Sequence, residues 1–473
     1  MAVSKARLRR NGDVRYFLKA PLPAWLSGQS IVPRYEVAIF LVFFAANGLY
    51  VAVNNRSSGE ATKRLGSIAM VNLVAVSTGA HMNQLVSSCG ISPGLYHRLH
   101  TCIGLTLVVE ATAHIVLQVR QGLEFREQLS GIVAASLLGA TFIVSALQRR
   151  LFEVFSTLHT AFALGSVAAL WLHLPATRLT QPPRVYLLAT IALFVFIKVQ
   201  RALRVAYRSL WRDRRCDVDL HQSHDVVQID VHLTRPMEVR AGQFLYLTVL
   251  GFSTFSFLES HPFQICWTET GEGGRQDIVV LARPRRGFTL KASAKTRQRY
   301  RALVDGPYGT TISLGQYGTV LLFATDVGIA GQLTYVRELL RLYQQCMAKS
   351  RRIALYWELE AEEHRFWVKE WMNEMLALDT DYILDIRLFI RGDYLSQQTS
   401  QGTVQQLGSH NRITLTYTSM DPESIIQTEL STRKGRTLVS LCTNPKITRA
   451  VLRGNIWADD VDVKRLDFQP WSS

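Results

Sequence analysis

Six apolar runs crowd the first 203 residues of this chain. They cover about residues 34–53, 65–86, 97–119, 129–147, 152–174 and 185–203. Each has roughly the ~20 residues that an α-helix needs to cross a bilayer. One or two such runs would fit the core of a large soluble domain. Six in series call for a membrane, where a helix satisfies its own backbone donors and acceptors. The first thirty residues hold no apolar run of leader type, so no cleavable signal peptide is expected.

The chain carries a formal charge of +16, and its distribution decides what that means. Lys5, Arg7, Arg9, Arg10, Arg15 and Lys19 precede the first run, Arg149 and Arg150 follow the fourth, and Arg201, Arg204, Arg208, Arg212, Arg214 and Arg215 follow the sixth. With six spans these three regions share one side, and a Lys/Arg excess marks it as the cytosol. The opposite loops hold Arg56, Lys63, Arg64, Arg120, Arg126, Arg178 and Arg184. The basic excess is therefore mainly a topology signal, and no nucleic-acid partner is expected. Six cysteines are scattered without a CxxC or zinc spacing and read as unpaired thiols.

Two of the apolar runs carry histidines at the same interval. "HTCIGLTLVVEATAH" places His100 and His114 fourteen positions apart, and "HTAFALGSVAALWLH" repeats the interval with His159 and His173. Fourteen residues of helix are ~21 Å long, and the azimuth returns to within ~40°. The third and fifth spans enter from the same side. His100 and His159 thus share an inner depth, and His114 and His173 an outer one. Two imidazole pairs at two depths are the axial ligands that two stacked haems require. The competing reading is four ordinary interhelical hydrogen bonds. His81 and His97 have no such partner and read as ordinary polar residues.

Beyond residue 205 the periodicity changes. "VVQIDVHL" alternates as a half-buried strand does, and "AGQFLYLTVL", "HPFQICW" and "DIVVLAR" follow without intervening helices, which reads as a small β-barrel. From residue 319, "TVLLFAT", "RIALYWEL" and "YILDIRLFI" alternate with helical segments near 330–347 and 362–377, as in a parallel α/β domain. "TLVSLCT" then precedes a helix near 445–453. In "FATDVGIAGQL" a strand passes through a glycine-containing turn into a helix, whose N-terminal N–H groups suit a pyrophosphate.

Together these motifs resemble the ferric reductase and NADPH oxidase superfamily, in particular its fungal ferric-chelate reductase-like members, over about residues 31–471. The resemblance implies a multi-domain membrane protein. Its parts would be a basic cytosolic arm (1–30), a six-helix transmembrane haem domain (31–205), an FAD-binding β-barrel (206–310) and an α/β, ferredoxin reductase-like NADP-binding domain (311–473). It implies two b-type haems held by His100, His114, His159 and His173. It implies FAD on His261, Pro262 and Phe263 and on Arg285, Arg286, Gly287 and Thr289. NADPH would enter near Gly306, Pro307, Gly328 and Gly331. The closing "LDFQPW" also resembles the end of this fungal group. Three positions depart from the family pattern: Gln264 follows HPF where Ser or Thr is usual, Asp326 replaces a Gly, and "CTNP" (Cys442–Pro445) replaces a Cys-Gly-Pro turn.

The implied activity is transfer of electrons from cytosolic NADPH through FAD and two haems to ferric chelates or siderophores across the plasma membrane. A superoxide-producing NADPH oxidase with the same wiring is the alternative. A membrane haem protein with a degenerate nucleotide site is the second. The short outer segment "LPATRLTQPP", with Pro175, Pro182 and Pro183, favours an open mouth. Arg56, Arg120, Arg126 and Arg178 would give that mouth a field for anionic chelates.

Overall fold

A computed structural model describes residues 21–22, 32–55, 57–79, 81, 83–122, 129–148, 150–175, 179–211, 214–252, 256–271, 274–285, 287–296, 298–391, 402–407, 411–453, 456 and 460–467. The chain divides into two compact units, one of residues 36–203 and one of residues 204–473 together with 1–35.

The first unit is helical: α1 (Arg34–Ala52), α2 (Ser58–Val76), α3 (Pro93–Arg120), α4 (Leu129–Val144), α5 (Phe152–His173) and α6 (Arg184–Ser209), with a short helix at Gln84–Ser88 between α2 and α3. Ser92 caps α3 by accepting from Leu95 N, and Pro93 occupies its first turn. A 3-10 turn, Ser145–Leu147, continues α4. Among the described residues, five helices are long and apolar enough to cross a membrane: α1, α3, α4 with its 3-10 extension, α5 and α6. Side chains such as Val42, Ile143 and Leu172 are more than two-thirds exposed on them. Hydrocarbon is the medium that covers such a surface, and this unit is a membrane domain.

The second apolar run differs from expectation. Residues 65–86 do not form one span. The helix there starts earlier, at Ser58, with Glu60, Lys63 and Arg64 in its first turns, and it stops at Val76. Gly79 then takes a left-handed φ of +77°, and His81 lies outside any helix. The early start has a use. Arg64 donates to the carbonyl oxygens of Tyr50, Val53 and Asn54, satisfying the otherwise open end of α1.

The second unit contains two folds. A closed barrel is formed by β1 (Asp217–Ser223), β2 (Val226–His232), β3 (Phe244–Val249), β4 (His261–Thr270), β5 (Gln276–Ala282) and β6 (Arg299–Tyr308), in the order β1-β2-β5-β4-β3-β6. All its pairings are antiparallel. A short helix, α7 (Phe288–Ala294), follows β5. The barrel closes on an interior of Val218, Leu220, Ile229, Val231, Leu247 and Ile265.

A seven-stranded sheet follows. Its elements in chain order are β7 (Thr319–Thr325), α8 (Ile329–Gln344), β8 (Arg352–Leu359), α9 (Lys369–Leu378), β9 (Leu384–Ile390), β10 (Val404–Leu407), β11 (Ile413–Thr416), α10 (Pro422–Ser431), β12 (Thr437–Cys442), α11 (Pro445–Arg453) and β13 (Val461–Arg465). The order across the sheet is β10-β11-β9-β8-β7-β12-β13. The pairings are parallel except β10 with β11. β7 and β12 are buried at every residue, as central parallel strands covered on both faces must be. The chain winds outward in both directions from β7, so the topological switch point falls between β7 and β12. Ligands of such sheets bind outside the carboxyl ends of the strands at that point.

Candidate functional site

In the membrane unit, α3 and α5 present the four histidines. The His100 and His159 ring centroids are 6.1 Å apart, with planes inclined by 55°. An imidazole nitrogen holds a first-row metal at about 2.0–2.1 Å, so rings at this spacing accommodate one ion between them. His159 Nδ1 lies 3.3 Å from the Thr141 carbonyl oxygen, and His114 Nδ1 lies 2.8 Å from that of Thr62. An Nδ1–H donated to a carbonyl fixes the tautomer that keeps Nε2 as a lone pair, the usual arrangement of a metal-ligating histidine. Glycines on neighbouring helices make room for the other pair of rings. A Cβ at Gly131 would sit 2.6 Å from His173 Cε1, and one at Gly66 would sit 3.2 Å from His114 Cε1.

A second polar constellation lies in the same unit. Asn72 on α2 donates to Glu110 Oε2 of α3 at 2.8 Å and to Asn47 Oδ1 of α1 at 2.9 Å. Glu110 and Asn72 are buried. Sequence reasoning passes over this clasp, although an ionisable residue inside an apolar run is an available signal.

In the barrel, β4 starts at His261, and Pro262, Phe263 and Gln264 pair with Tyr246, Leu245 and Phe244 of β3. The His261 ring stacks on Phe288 at 4.6 Å, and Phe263 packs on the same ring at 5.8 Å. Phe288 belongs to the "RRGFT" segment, so the two flavin-type segments meet through this aromatic contact. Gly287 precedes α7 with φ +56°, and Arg285 N donates to Thr289 Oγ1 at 3.1 Å. Arg286 lies outside the described residues. Gly306 has φ +150°, and a Cβ there would meet the backbone of β3 at 3.2–3.3 Å. Pro307 follows it on β6.

At the switch point, Gly328 closes a 3-10 turn, Asp326–Gly328, from which α8 departs. Gly331 sits where three segments converge. A Cβ on it would meet Leu466 Cδ1 at 2.5 Å, Gln264 Cγ at 3.3 Å and Cys442 Sγ at 3.4 Å. The barrel, β12 and the segment after β13 therefore approach α8 at this glycine. Buried Gln332 ties α8 down by donating to Phe323 O at 2.9 Å and accepting from Ser440 Oγ at 3.0 Å.

The three departures from the family pattern each have a local account. Gln264 Nε2 donates to Gln243 O at 3.0 Å. Asn444 caps α11 by accepting from Ile447 N at 3.0 Å, and its own N–H donates to Thr325 Oγ1 at 2.8 Å. Burial pushes the neighbouring Cys442 thiol up to about 12. Asp326 adopts φ +46°, and its carbonyl oxygen accepts from Trp357 Nε1 at 2.9 Å. Its carboxylate points toward Arg283 of the barrel, at 3.8 Å, so it is turned to a cation. Arg283 also pairs with Glu360 at 2.6 Å and Asp225 at 3.1 Å, and Glu360 pairs with Arg391 at 3.1 Å. No sequence motif announces this cluster, because its members come from five separate loops.

Comparison with known proteins agrees with the architecture of the barrel and the sheet. An FAD-binding domain family matches residues 214–312, and the ferric reductase NAD binding domain family matches residues 317–452. A probable cell surface ferric reductase of Aspergillus oryzae is 23% identical over 395 residues, covering 76% of this chain and 50% of the relative. Ferric reductase transmembrane component 4 of Saccharomyces cerevisiae is 23% identical over 326 residues, covering 65% and 42%. The chain is thus similar to ferric reductases in both its FAD-binding and its NAD-binding regions.

The chain spans about half the length or less of those curated relatives. A respiratory burst oxidase homolog of Solanum tuberosum is also similar, 22% identical over 247 residues, 45% of this chain and 28% of the relative. Among solved structures, the ferredoxin NADP+ reductase of Neisseria gonorrhoeae with bound FAD and NADP covers 53% of this chain and 97% of its own, at 12% identity and a TM-score of 0.37. The barrel and parallel sheet follow from the strand order, independently of that overlay. The protein therefore has an N-terminal membrane domain, an FAD-binding barrel and an NAD(P)-binding α/β domain. All six cysteines are free thiols. Of the closing "LDFQPW", only Leu466 and Asp467 lie among the described residues.

Proposed function

We propose that this protein is an NADPH-dependent ferric-chelate reductase that moves electrons across the membrane. The observation that carries the reading is the facing pair His100 and His159, on helices whose histidines recur at one interval. The donor set fits b-type haem. His114 and His159 have Nδ1 tied to main-chain oxygens, which leaves Nε2 for an axial bond. His100 and His159 would hold one haem, and His114 and His173 the other.

When bound, FAD and haem divide the two electrons of a hydride into single transfers, chemistry that side chains alone do not supply. The chain's own residues bind and orient. His261, Pro262, Phe263, Arg285, Gly287 and Thr289 would hold FAD. The α8 N-terminus at Gly328, with Gly331 and the Gly306–Pro307 segment, would receive NADPH. Arg286, outside the described residues, is assigned to the flavin diphosphate on its motif alone. Lys and Arg in the N-terminal arm, at 149–150 and after α6 support a cytosolic place for the flavin and nucleotide domains. A plasma-membrane location rests on the cell-surface relative.

Only ten residues connect His173 to Arg184, which leaves little chain to cover the far side of the membrane domain. A bulky chelate is the acceptor this favours over molecular oxygen. The test supplies NADPH to the full chain in sealed vesicles. The expected output is ferrous iron trapped from ferric citrate without oxygen, faster than superoxide formed in air. Superoxide clearly outpacing iron reduction would replace this reading with an oxidase.

A further inference from the structure

The turn that opens α8 holds a buried carboxyl group in a left-handed backbone conformation. Asp326 has φ +46° and is 9% exposed, and its Oδ1 is buried without a hydrogen-bond partner. Its Oδ2 reaches one cation, Arg283, at 3.8 Å, a distance too long for a hydrogen bond. Arg283 is committed elsewhere, to Glu360 at 2.6 Å and Asp225 at 3.1 Å.

The charges around Asp326 come from every loop packed on it. Glu360 follows β8, Arg391 follows β9, and Arg283 follows β5. Behind Arg283 stands Asp225 of the β1–β2 turn, itself 3.3 Å from His364 Nε2. Three carboxylates thus face two guanidinium groups, with His364 at the edge. The cluster carries an excess negative charge while Asp326 is ionised, and it is neutral when Asp326 is protonated with His364 uncharged. The first turn of α8 favours an anion. An ionised Asp326 in the turn before it opposes the same anion.

We propose that the dinucleotide enters this site together with one proton, which neutralises Asp326. The inference rests on the nucleotide reading above and adds a condition to it. The proton comes from solvent. Once neutralised, the carboxyl no longer opposes the incoming phosphate oxygens, as a carboxylate beside the helix N-terminus would. The direction of the side chain's own equilibrium agrees. Burial foremost, and then the Glu360 carboxylate, push Asp326 up to about 6, against Arg283, Arg391 and the main-chain N–H of Glu360. Near neutral pH the free site is therefore mostly ionised, and binding must draw the proton in.

The test measures NADP+ binding to the purified full chain from pH 6.5 to 8.5. One linked proton weakens binding by about tenfold per pH unit above the free-site value. Over that range wild type should lose about 30-fold or more relative to Asp326→Asn, whose own change reports any titration of the nucleotide. Calorimetry of wild type in two buffers of different ionisation heat should show uptake of nearly one proton per NADP+ at pH 7.5, a readout that needs no variant. Equal slopes in the two proteins, or no proton uptake, would overturn the proposal while leaving nucleotide binding in place. Absence of NADP+ binding by either protein at every pH would overturn the nucleotide reading and this inference with it.

Discussion

In the membrane unit, Leu41, Val42, Ile143 and Leu172 face outward while Glu36, Asn72 and Glu110 are buried. In the second unit, β7 and β12 are buried along their whole length and are mainly apolar, and charged groups gather at the strand ends. The difference follows from the medium outside. Hydrocarbon leaves apolar side chains no reason to turn inward, so the interior is free for the groups that hold cofactors and clasp helices. Water reverses this, and pairing is what makes a buried charge inexpensive in the second unit. Arg352 illustrates the second case: it grips buried Glu429 through two bonds of 2.6 Å, and Tyr356 adds a third of 2.7 Å.

The comparison is broken most directly through the interior histidines. His173→Ala should remove one of the two haems and abolish transmembrane iron reduction, with the inner pair retained in part. Haem stoichiometry by alkaline pyridine spectrum reads this out, and two haems retained in full would refute the assignment. Gly131→Ala should act in the same direction, because its Cβ would lie 2.6 Å from the His173 ring.

Next in size is the pair of part-exposed Arg352 with buried Glu429. Arg352→Ala leaves Glu429 buried without its cation, and loss of one partner of such a pair costs about 3–5 kcal/mol. Denaturant melts of the flavin-loaded chain should show it, and a change below about 1 kcal/mol would mean that water reaches Glu429.

A smaller effect is expected at Asp326. Its pKa is raised in the folded state from 3.8 to about 6. The stability it contributes is therefore complete below 3.8 and lost as pH rises through about 6. Asp326→Asn should stabilise the chain by about 2–3 kcal/mol at pH 8 and hardly at all at pH 4. The same gain at both values would point to backbone relief.

The smallest effect belongs to the Asn47–Asn72–Glu110 clasp. Interhelical hydrogen bonds in membranes average about 0.6 kcal/mol and reach about 1.7. Asn72→Ala should cost about 1 kcal/mol in a membrane-unit unfolding titration, and a loss as large as that of Arg352→Ala would erase the contrast between the two interiors.

The same contrast explains what the sequence makes legible. A histidine inside an apolar run stands out, and a repeat of fourteen positions on two runs stands out further, so the facing of His100 and His159 can be read from the residues alone. The second run misleads because Glu60, Lys63 and Arg64 break its hydropathy, although Arg64 is there to cap α1. In the soluble unit polar residues are everywhere. The alternation of β2 and the apolar run of β7 give away a barrel and a parallel sheet. The short hairpin β10–β11, the charged opening of β6 and the edge strand β13 carry patterns too weak to read. The Asp225–Arg283–Asp326–Glu360 cluster has no signal at all, since topology alone brings it together.

The proposed function requires that electrons from NADPH reach haem held by the histidines of α3 and α5. It is tested most directly by adding NADPH anaerobically to the purified chain loaded with FAD and haem, and recording the haem absorbance. The account predicts reduction of both low-spin haems, matching the spectrum obtained with dithionite. Haems that dithionite reduces fully and NADPH leaves oxidised, in protein that retains its flavin, would contradict it.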